Sequence, residues 1–393
     1  MQFDRLKEFM DFMARERTPG NSVMVYLHGE PVFRYVSGYS DWENLVPLRG
    51  DELFNIYSCS KVTTVTAAMQ LVEQGKCSLN DPLYAYFPEF REMMVRQPDG
   101  TLRKAERPIT LFHLFTMTAG FDYDTQSAAI QKAREKTGGR MDTREVVRCL
   151  AQEPLWFEPG EHWRYSLCHD VLAGVVEVVS GMKFRDYVRT AILEPLEMHE
   201  TCYHHTPATL ARTAEQYRFV SEADATADLV DLQSFGGASD GFYKNVGKSN
   251  YLVLGPEYDS GGAGIITSVP DYAKLMGALG NYGVSKKGAR ILKPETIDLM
   301  RRNALNPVQM EDLSWKQLLG CGYGLGVRTH MDKALSGVRS NIGEYGWGGA
   351  AGATVIIDPE IGLGVFYAQH MLNPREEFYQ PKLRDVVYEC LGY

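Results

Sequence analysis

A serine and a lysine three residues apart, Ser58 and Lys61, could together perform nucleophilic catalysis. They stand at the start of a segment in which apolar side chains recur at helical spacing, from Val62 to Val72. Because residues i and i+3 share one face of a helix, the Lys61 amine could reach the Ser58 hydroxyl. The first turn of a helix also supplies backbone N–H groups and partial positive charge. This context favours Ser58 over Ser180, which has the same spacing to a lysine but precedes a glycine at a helix end.

Two further segments could complete such a site. Tyr165 precedes a second run of helical spacing, and its hydroxyl could relay protons between Ser58 and Lys61 if nearby cations lowered its pKa. The run Trp347-Gly348-Gly349-Ala350 leads into a strand-like segment, and its small residues would let a substrate approach the backbone. Taken alone, the tyrosine is also typical of a half-buried core position, and the glycines are typical of a bend before an edge strand.

A different serine offers an alternative nucleophile. Residues 237–241 match the G-x-S-x-G pattern of α/β-hydrolases, with Ser239 at the centre and His330 or His370 as the base. That pattern requires a strand before the serine and a helix after it, and neither is evident in the sequence. We expect this match, and the K-T-G triplet at 136–138, to be accidental.

The sequence offers no good metal or cofactor site. His199, Cys202, His204 and His205 lie close together in the chain, but without the spacing of a zinc site. No glycine-rich phosphate loop opens a helix. We therefore expect neither a metal nor a cofactor.

Composition argues against several classes of partner. With 41 Lys and Arg against 50 Asp and Glu, the net charge is −9 over 393 residues, so nucleic acid and anionic membranes are poor partners. No run approaches the about 20 apolar residues of a membrane span. The 7 cysteines show no paired spacing and the N-terminus has no apolar signal region, from which we expect a cytoplasmic protein.

The elements that must position these residues suggest one antiparallel sheet built from both ends of the chain. Strand-like runs at 22–27 and 32–37 flank a hairpin turn. Similar runs at 354–357 and 364–368 precede a helical stretch at about 382–390. The middle of the chain is mostly helical.

The domain organisation follows from this order. We expect a single α+β catalytic domain over 1–393, in which an antiparallel sheet is flanked by helices. A sheet-containing lobe would come from about 1–57 and 260–393, and a mostly helical lobe from about 58–259. Residues 221–250 are polar and rich in glycine, which is typical of a long loop and could border the site entrance.

Seven short segments of the chain stand in an order that resembles the serine β-lactamase and penicillin-binding-protein superfamily. The resemblance is strongest to its class C branch, which includes the family VIII carboxylesterases, and it covers nearly the whole chain. The segments are SCSK at 58–61, LVEQGK at 71–76 with LNDPL at 79–83, ITLFHLFTMTAGF at 109–121, PGE at 159–161 with YS at 165–166, GGAGIITS at 261–268, GYGLG at 322–326 and WGG at 347–349.

The resemblance implies an antiparallel sheet with flanking helices, an all-helical subdomain and an acyl-enzyme mechanism. Ser58 would be the acylated nucleophile, and Lys61 and Tyr165 would share the general base and acid work. Trp347-Gly348-Gly349 would replace the family's K-T-G strand, and the N–H groups of Ser58 and Ala350 would form the oxyanion hole. A lysine base needs a lowered pKa, because the ordinary value of about 10.4 leaves the amine charged at neutral pH.

Two positions depart from the family pattern. Leu167 stands where the Y-x-N motif has an asparagine for the substrate's amide, and Trp347 stands where K-T-G has the cation for a β-lactam or peptide carboxylate. A site without such polar partners discriminates against substrates that need them. The resemblance therefore implies a serine hydrolase, first of all a carboxylesterase acting on a small-molecule ester. The alternatives are a β-lactamase or D-aminopeptidase-like amidase, or a catalytically inactive homologue that binds ligands. The oligomeric state stays open.

Overall fold

The computed structural model describes residues 2–221 and 241–393, and its central element is an eight-stranded antiparallel sheet. The strands are β1 (Gly20–Leu27), β2 (Glu30–Asp41), β3 (Val46–Pro47), β4 (Leu53–Asn55), β5 (Met94–Arg96), β6 (Leu102–Lys104), β7 (Gln216–Ser221), β8 (Gly241–Gly247), β9 (Ile266–Ser268), β10 (Cys321–Tyr323), β11 (Arg328–His330), β12 (Tyr345–Gly346), β13 (Thr354–Asp358) and β14 (Leu363–Gln369). The central sheet has the order β10-β11-β12-β13-β14-β1-β2-β3. The pairs β4–β9, β5–β6 and β7–β8 are separate.

The two ends of the chain meet in the middle of this sheet, as the sequence predicts. β1 pairs antiparallel with β14, with Val23 opposite Tyr367, and also with β2. The β1–β2 hairpin turns at His28 and Gly29, which both have positive φ, as the common two-residue turns require.

Helices cover both faces of the sheet and fill the middle of the chain. They are α1 (Asp4–Glu16), α2 (Ser60–Glu73), α3 (Leu111–Phe115), α4 (Ala128–Lys136), α5 (Thr143–Leu150), α6 (Cys168–Ser180), α7 (Phe184–Val188), α8 (Pro207–Arg212), α9 (Val269–Gly280), α10 (Pro294–Met300), α11 (Pro307–Asp312), α12 (Lys333–Ser336) and α13 (Glu376–Leu391). α1 and α13 pack on one face, for example through Leu6 and Leu383, and α9 packs on the other. None of these helices has the length and apolar character needed to cross a membrane.

α9 packs closely against the sheet because both the helix and strand β14 have a glycine at the contact. A Cβ on Gly280 would lie 2.3 Å from the carbonyl oxygen of Leu363, and one on Gly364 would lie 2.3 Å from that of Met276. The absence of side chains there lets the helix backbone rest directly on β14.

The last helix begins earlier than the sequence predicts. α13 starts at Glu376 rather than near residue 382, and Pro381 lies inside it. A proline is typical of the first turn of a helix rather than of its interior, so the sequence pattern predicts a start close to Pro381. The additional turn brings Glu376 and Gln380 to the cavity described below.

The prediction of a long loop over 221–250 is wrong for part of that segment. Gly241–Gly247 forms β8, paired with β7, while residues 222–240 lie outside the described ranges. Phe242 and Val246 on β8 are exposed, so the apolar side chains of this strand do not form a face that packs on the core. The segment therefore lacks the alternation of apolar and polar residues that predicts a half-buried strand.

α2 is the buried helix that carries the candidate nucleophile into the interior. Every residue from Ser60 to Leu71 is buried, and α2 packs against α6. Small and apolar side chains on all sides suit such a central position. The 7 cysteines of the chain are all free, as their spacing indicates.

Candidate active site

Ser58 lies in a 3-10 turn, Tyr57–Cys59, between β4 and α2. Tyr57 has a φ of 45°, a conformation that costs a non-glycine residue about 1–3 kcal/mol. Its hydroxyl donates a hydrogen bond to Gln216 Oε1 at 2.8 Å, which anchors the strained residue. Ser58 is left 8% exposed, and it lines a cavity.

The three residues predicted to carry the chemistry lie together. Tyr165 Oη donates a hydrogen bond to Ser58 Oγ at 2.7 Å, and Lys61 Nζ donates to the same oxygen at 3.3 Å. Lys61 Nζ also donates to the carbonyl of Gly262 at 2.8 Å. The Ser58 hydroxyl therefore has two side chains, Tyr165 and Lys61, within reach for proton transfer.

The environment of Lys61 suits it to act as a base. Burial lowers the pKa of Lys61 to about 8, against the opposing attraction of Asp170. The Asp170 carboxylate accepts hydrogen bonds from the hydroxyls of Tyr258 and Ser260, at 2.6 and 2.7 Å. Because the pKa of Lys61 is about 8, a substantial fraction of its amine is neutral near pH 8.

Tyr165 differs from the expectation that cations would lower its pKa. Burial raises the pKa of Tyr165 above its usual range, although hydrogen bonds with Ser58 and Trp347 oppose the shift. Trp347 Nε1 donates to Tyr165 Oη at 3.2 Å, and the two rings stack with centroids 5.5 Å apart. Tyr165 therefore keeps its proton at neutral pH and can serve as a donor.

Tyr123 and Asp170 belong to the same cluster, although no motif marks them. Tyr123 Oη lies 3.3 Å from Lys61 Nζ, and its ring stacks on Tyr165 at 5.3 Å. Nothing in the sequence distinguishes this tyrosine from the others. Asp170 did leave a signal, because it and Glu177 are the two carboxylates on the largely apolar helix α6.

A cavity of about 170 Å³ opens beside Ser58. Of the residues predicted to bind substrate, Trp347, Gly348 and Ala350 line it. Besides Ser58 and Tyr165, the other lining residues are Trp315, Gln317, Leu318, Arg328, Glu376 and Gln380.

Two of the predicted binding residues do not reach this cavity. Leu167 is 2% exposed and packs in the core at the start of α6. Gly349 lies against the backbone of Ile56, where a Cβ would be 2.2 Å from the carbonyl oxygen. Both therefore contribute to packing around the site rather than to its lining.

A second cavity, of about 430 Å³, is wider but chemically less promising. Its lining includes the ion pairs of Arg103 with Glu158 at 2.7 Å and of His162 with Asp312 at 3.0 Å. Its described lining contains no serine, threonine or cysteine that could act as a nucleophile. The cavity beside Ser58 is therefore the candidate active site.

A family model described as "Beta-lactamase" matches residues 6–388 of the chain. The chain belongs to the beta-lactamase family. Esterase EstB from Burkholderia gladioli is 31% identical over 376 residues, which cover 92% of this chain and 88% of EstB. The structure of EstCE1, described as a hydrolase with promiscuous acyltransferase activity, has a TM-score of 0.76 at 27% identity and covers 98% of each chain. The D-amino acid amidase of Ochrobactrum anthropi shares the fold, with a TM-score of 0.70 at 20% identity and 99% of each chain covered.

Membership of the beta-lactamase family confirms the resemblance that the seven segments indicate. The antiparallel sheet with its flanking helices confirms the predicted fold class. The relatives include esterase EstB, an acyltransferase and a lovastatin esterase, so the chain is a hydrolase of the beta-lactamase fold.

The alternative based on Ser239 lies outside the described residues. Of its two candidate bases, His370 contacts the backbone carbonyls of Glu215 and Tyr39 through its two ring nitrogens. His330 contacts the Ser340 carbonyl at 3.0 Å and the Ser336 hydroxyl at 2.7 Å. Both rings are therefore engaged in local structure.

The histidine and cysteine cluster around residue 204 has a structural explanation. His204 Nε2 lies 2.8 Å from Asp259 Oδ1, which also pairs with Arg185 at 3.1 Å. In the part of the chain that the structure describes, no three His, Cys, Asp or Glu side chains are grouped as metal ligands would be.

Proposed function

We propose that this beta-lactamase-family hydrolase is a serine carboxylesterase that cleaves small-molecule esters through an acyl-enzyme on Ser58. The proposal is carried by the Ser58 hydroxyl, which lies 2.7 Å from Tyr165 Oη and 3.3 Å from Lys61 Nζ at the edge of a cavity. The esterase named among the relatives supports an ester as the substrate class.

Acylation would begin with the neutral form of Lys61. Its amine accepts the Ser58 proton, directly or through Tyr165, as Oγ bonds to the acyl carbon. The oxyanion then accepts hydrogen bonds from the N–H groups of Ser58 and Ala350. Within the described residues the Ala350 N–H donates to no carbonyl, so it is free for this role.

Collapse of the tetrahedral intermediate breaks the ester C–O bond. The leaving alkoxide takes a proton from Tyr165, whose raised pKa keeps that proton available, and Lys61 restores it. Water then attacks the acyl-enzyme, Lys61 accepts the water proton, and the Ser58 oxygen leaves with a proton from the same relay. The products are an alcohol and a carboxylic acid.

The lining of the cavity supports an ester over a β-lactam. Trp347 replaces the cation of the family pattern, and Arg328 is the one basic side chain among the described lining residues. Both arms of the Arg328 guanidinium are already bound by Glu344, at 3.0 and 2.6 Å. A substrate carboxylate would therefore find no free cation in the described lining.

This lining predicts a strong preference between two chromogenic substrates. We expect kcat/KM for p-nitrophenyl butyrate to exceed that for nitrocefin by about 100-fold or more, because the site lacks a free carboxylate partner. Steady-state kinetics with both substrates measures the ratio. Faster nitrocefin turnover would instead support the β-lactamase alternative, and no turnover of either by folded protein would support the inactive homologue.

The lowered pKa of Lys61 predicts how activity depends on pH. Because only the neutral amine accepts the Ser58 proton, kcat/KM for a neutral ester should rise with pH and level off above about 8. Burial also raises the pKa of Glu376 in this cavity to about 7, so the profile is also recorded for Glu376→Gln, in which the inflection near 8 should remain. A profile that is flat from about pH 7 to 9 would contradict Lys61 as the base.

A further inference from the structure

The cavity beside Ser58 contains a carboxylate for which the proposed mechanism has no use. Glu376, the first residue of α13, lines the cavity together with Trp315 and Trp347. Its Oε2 accepts a hydrogen bond from Gln317 Nε2 at 3.1 Å. The carboxylate is therefore held in place at the substrate side of the site.

No lysine or arginine of the described residues pairs with Glu376. The adjacent Arg375 lies 3.5 Å from Glu377, and Arg328 in the same cavity is bound by Glu344. Burial first, and then the nearby negative charge of Glu377, raise the pKa of Glu376, so ionising this carboxyl without a cationic partner costs free energy. A cationic ligand would supply the missing partner.

Three aromatic side chains that line the same cavity pack against one another. The Tyr165 ring centroid lies 5.2 Å from that of Trp315 and 5.5 Å from that of Trp347, and the two tryptophans are 6.1 Å apart. The faces of such rings attract ammonium groups, tryptophan most strongly. Tyr123 and Trp347 stack on the Tyr165 ring, which leaves the two tryptophans to face a ligand. A cavity lined by a carboxylate and two tryptophans is thus suited to bind an alkylated ammonium.

The charged groups of the site also favour the binding of a cationic ligand. Trp347 stands where the family pattern has a lysine, so the positive charge that would repel an ammonium is absent from that position. The remaining catalytic cation, Lys61, is attracted by Asp170, and its lowered pKa reduces its charge near pH 8.

We propose that this cavity selects esters that carry a cationic ammonium group, with Glu376 as the specificity-determining residue. The ammonium group would contact the Glu376 carboxylate and the Trp315 and Trp347 rings while the ester carbonyl faces Ser58. This inference rests on the proposed esterase function and names its substrate class.

The test compares acetylcholine with 3,3-dimethylbutyl acetate, which has the same shape but no charge. Their kcat/KM values, each divided by the rate of alkaline hydrolysis, are measured near pH 8, where Glu376 is mostly ionised. We expect the normalised ratio to favour acetylcholine about tenfold in the wild type. In Glu376→Gln, which keeps an acceptor for Gln317, the ratio should fall to about one through a raised KM for acetylcholine.

Glu377→Gln is the matched control, because Glu377 is exposed and does not line the cavity. It should keep the wild-type ratio. Hydrolysis of p-nitrophenyl acetate that depends on Ser58 shows that the esterase function stands. If the normalised ratio is then near one in the wild type, or is unchanged in Glu376→Gln, the cationic specificity is overturned.

A binding measurement decides the case in which no ester is hydrolysed and the esterase function itself fails. Phenyltrimethylammonium is titrated calorimetrically into Ser58→Ala protein and into the same protein with Glu376→Gln. A Kd about tenfold weaker in the double variant supports the ammonium site. Equal affinities, or no binding to either protein, overturn it.

Discussion

Ser58→Ala is expected to lower kcat for p-nitrophenyl acetate and butyrate about 10⁴-fold or more, because it removes the oxygen that carries the acyl group. Lys61, Tyr165 and the backbone N–H groups remain, so a small residual rate above that in water is expected from binding and oxyanion stabilisation. Steady-state kinetics, with enzyme concentrations high enough to detect the residual rate, measures the loss.

Ser180→Ala is a suitable control for this result. Ser180 has the same three-residue spacing to a lysine, but it lies at the end of α6 and accepts a hydrogen bond from the Met182 N–H at 3.2 Å. This variant should retain turnover close to that of the wild type. Near-normal activity of Ser58→Ala would show that Ser58 is not the nucleophile.

Lys61→Met should lower kcat about 10³-fold, because methionine fills much of the same volume but cannot accept the Ser58 proton. The variant should also lose the rise in activity with pH that the lowered pKa of Lys61 predicts. The pH profile therefore separates a lost base from a general disturbance of the site.

Removal of Lys61 also leaves Asp170 as a buried carboxylate without its cation, which costs stability. The double variant Lys61→Met/Asp170→Asn removes both charges and should restore the midpoint of thermal unfolding without restoring turnover. If Lys61→Met folds and retains more than about a tenth of wild-type kcat, another group is the base.

The sequence predicts the parts of the site that depend on local spacing. Ser58 and Lys61 are recognisable because their three-residue spacing fits one helical turn at the start of α2. The meeting of β1 with β14 is also predictable, since alternation and turn residues mark strands at both ends of the chain. The boundaries of the two lobes stay predictions.

The remaining parts depend on contacts between distant segments, which no local pattern records. Tyr123 reaches Lys61 from 62 positions away in the chain. Glu376 reaches the cavity only because α13 begins well before Pro381, which lies inside the helix. The raised pKa of Tyr165 follows from its burial, and a sequence does not reveal how deeply one particular tyrosine is buried.

The most direct test of the central proposal is labelling with a fluorophosphonate, followed by intact-mass measurement and peptide mapping. We predict one phosphonyl adduct per chain, located on Ser58, and no adduct in Ser58→Ala. An adduct on Ser239, or esterase activity that survives without any adduct on Ser58, would contradict the assignment of Ser58 as the nucleophile.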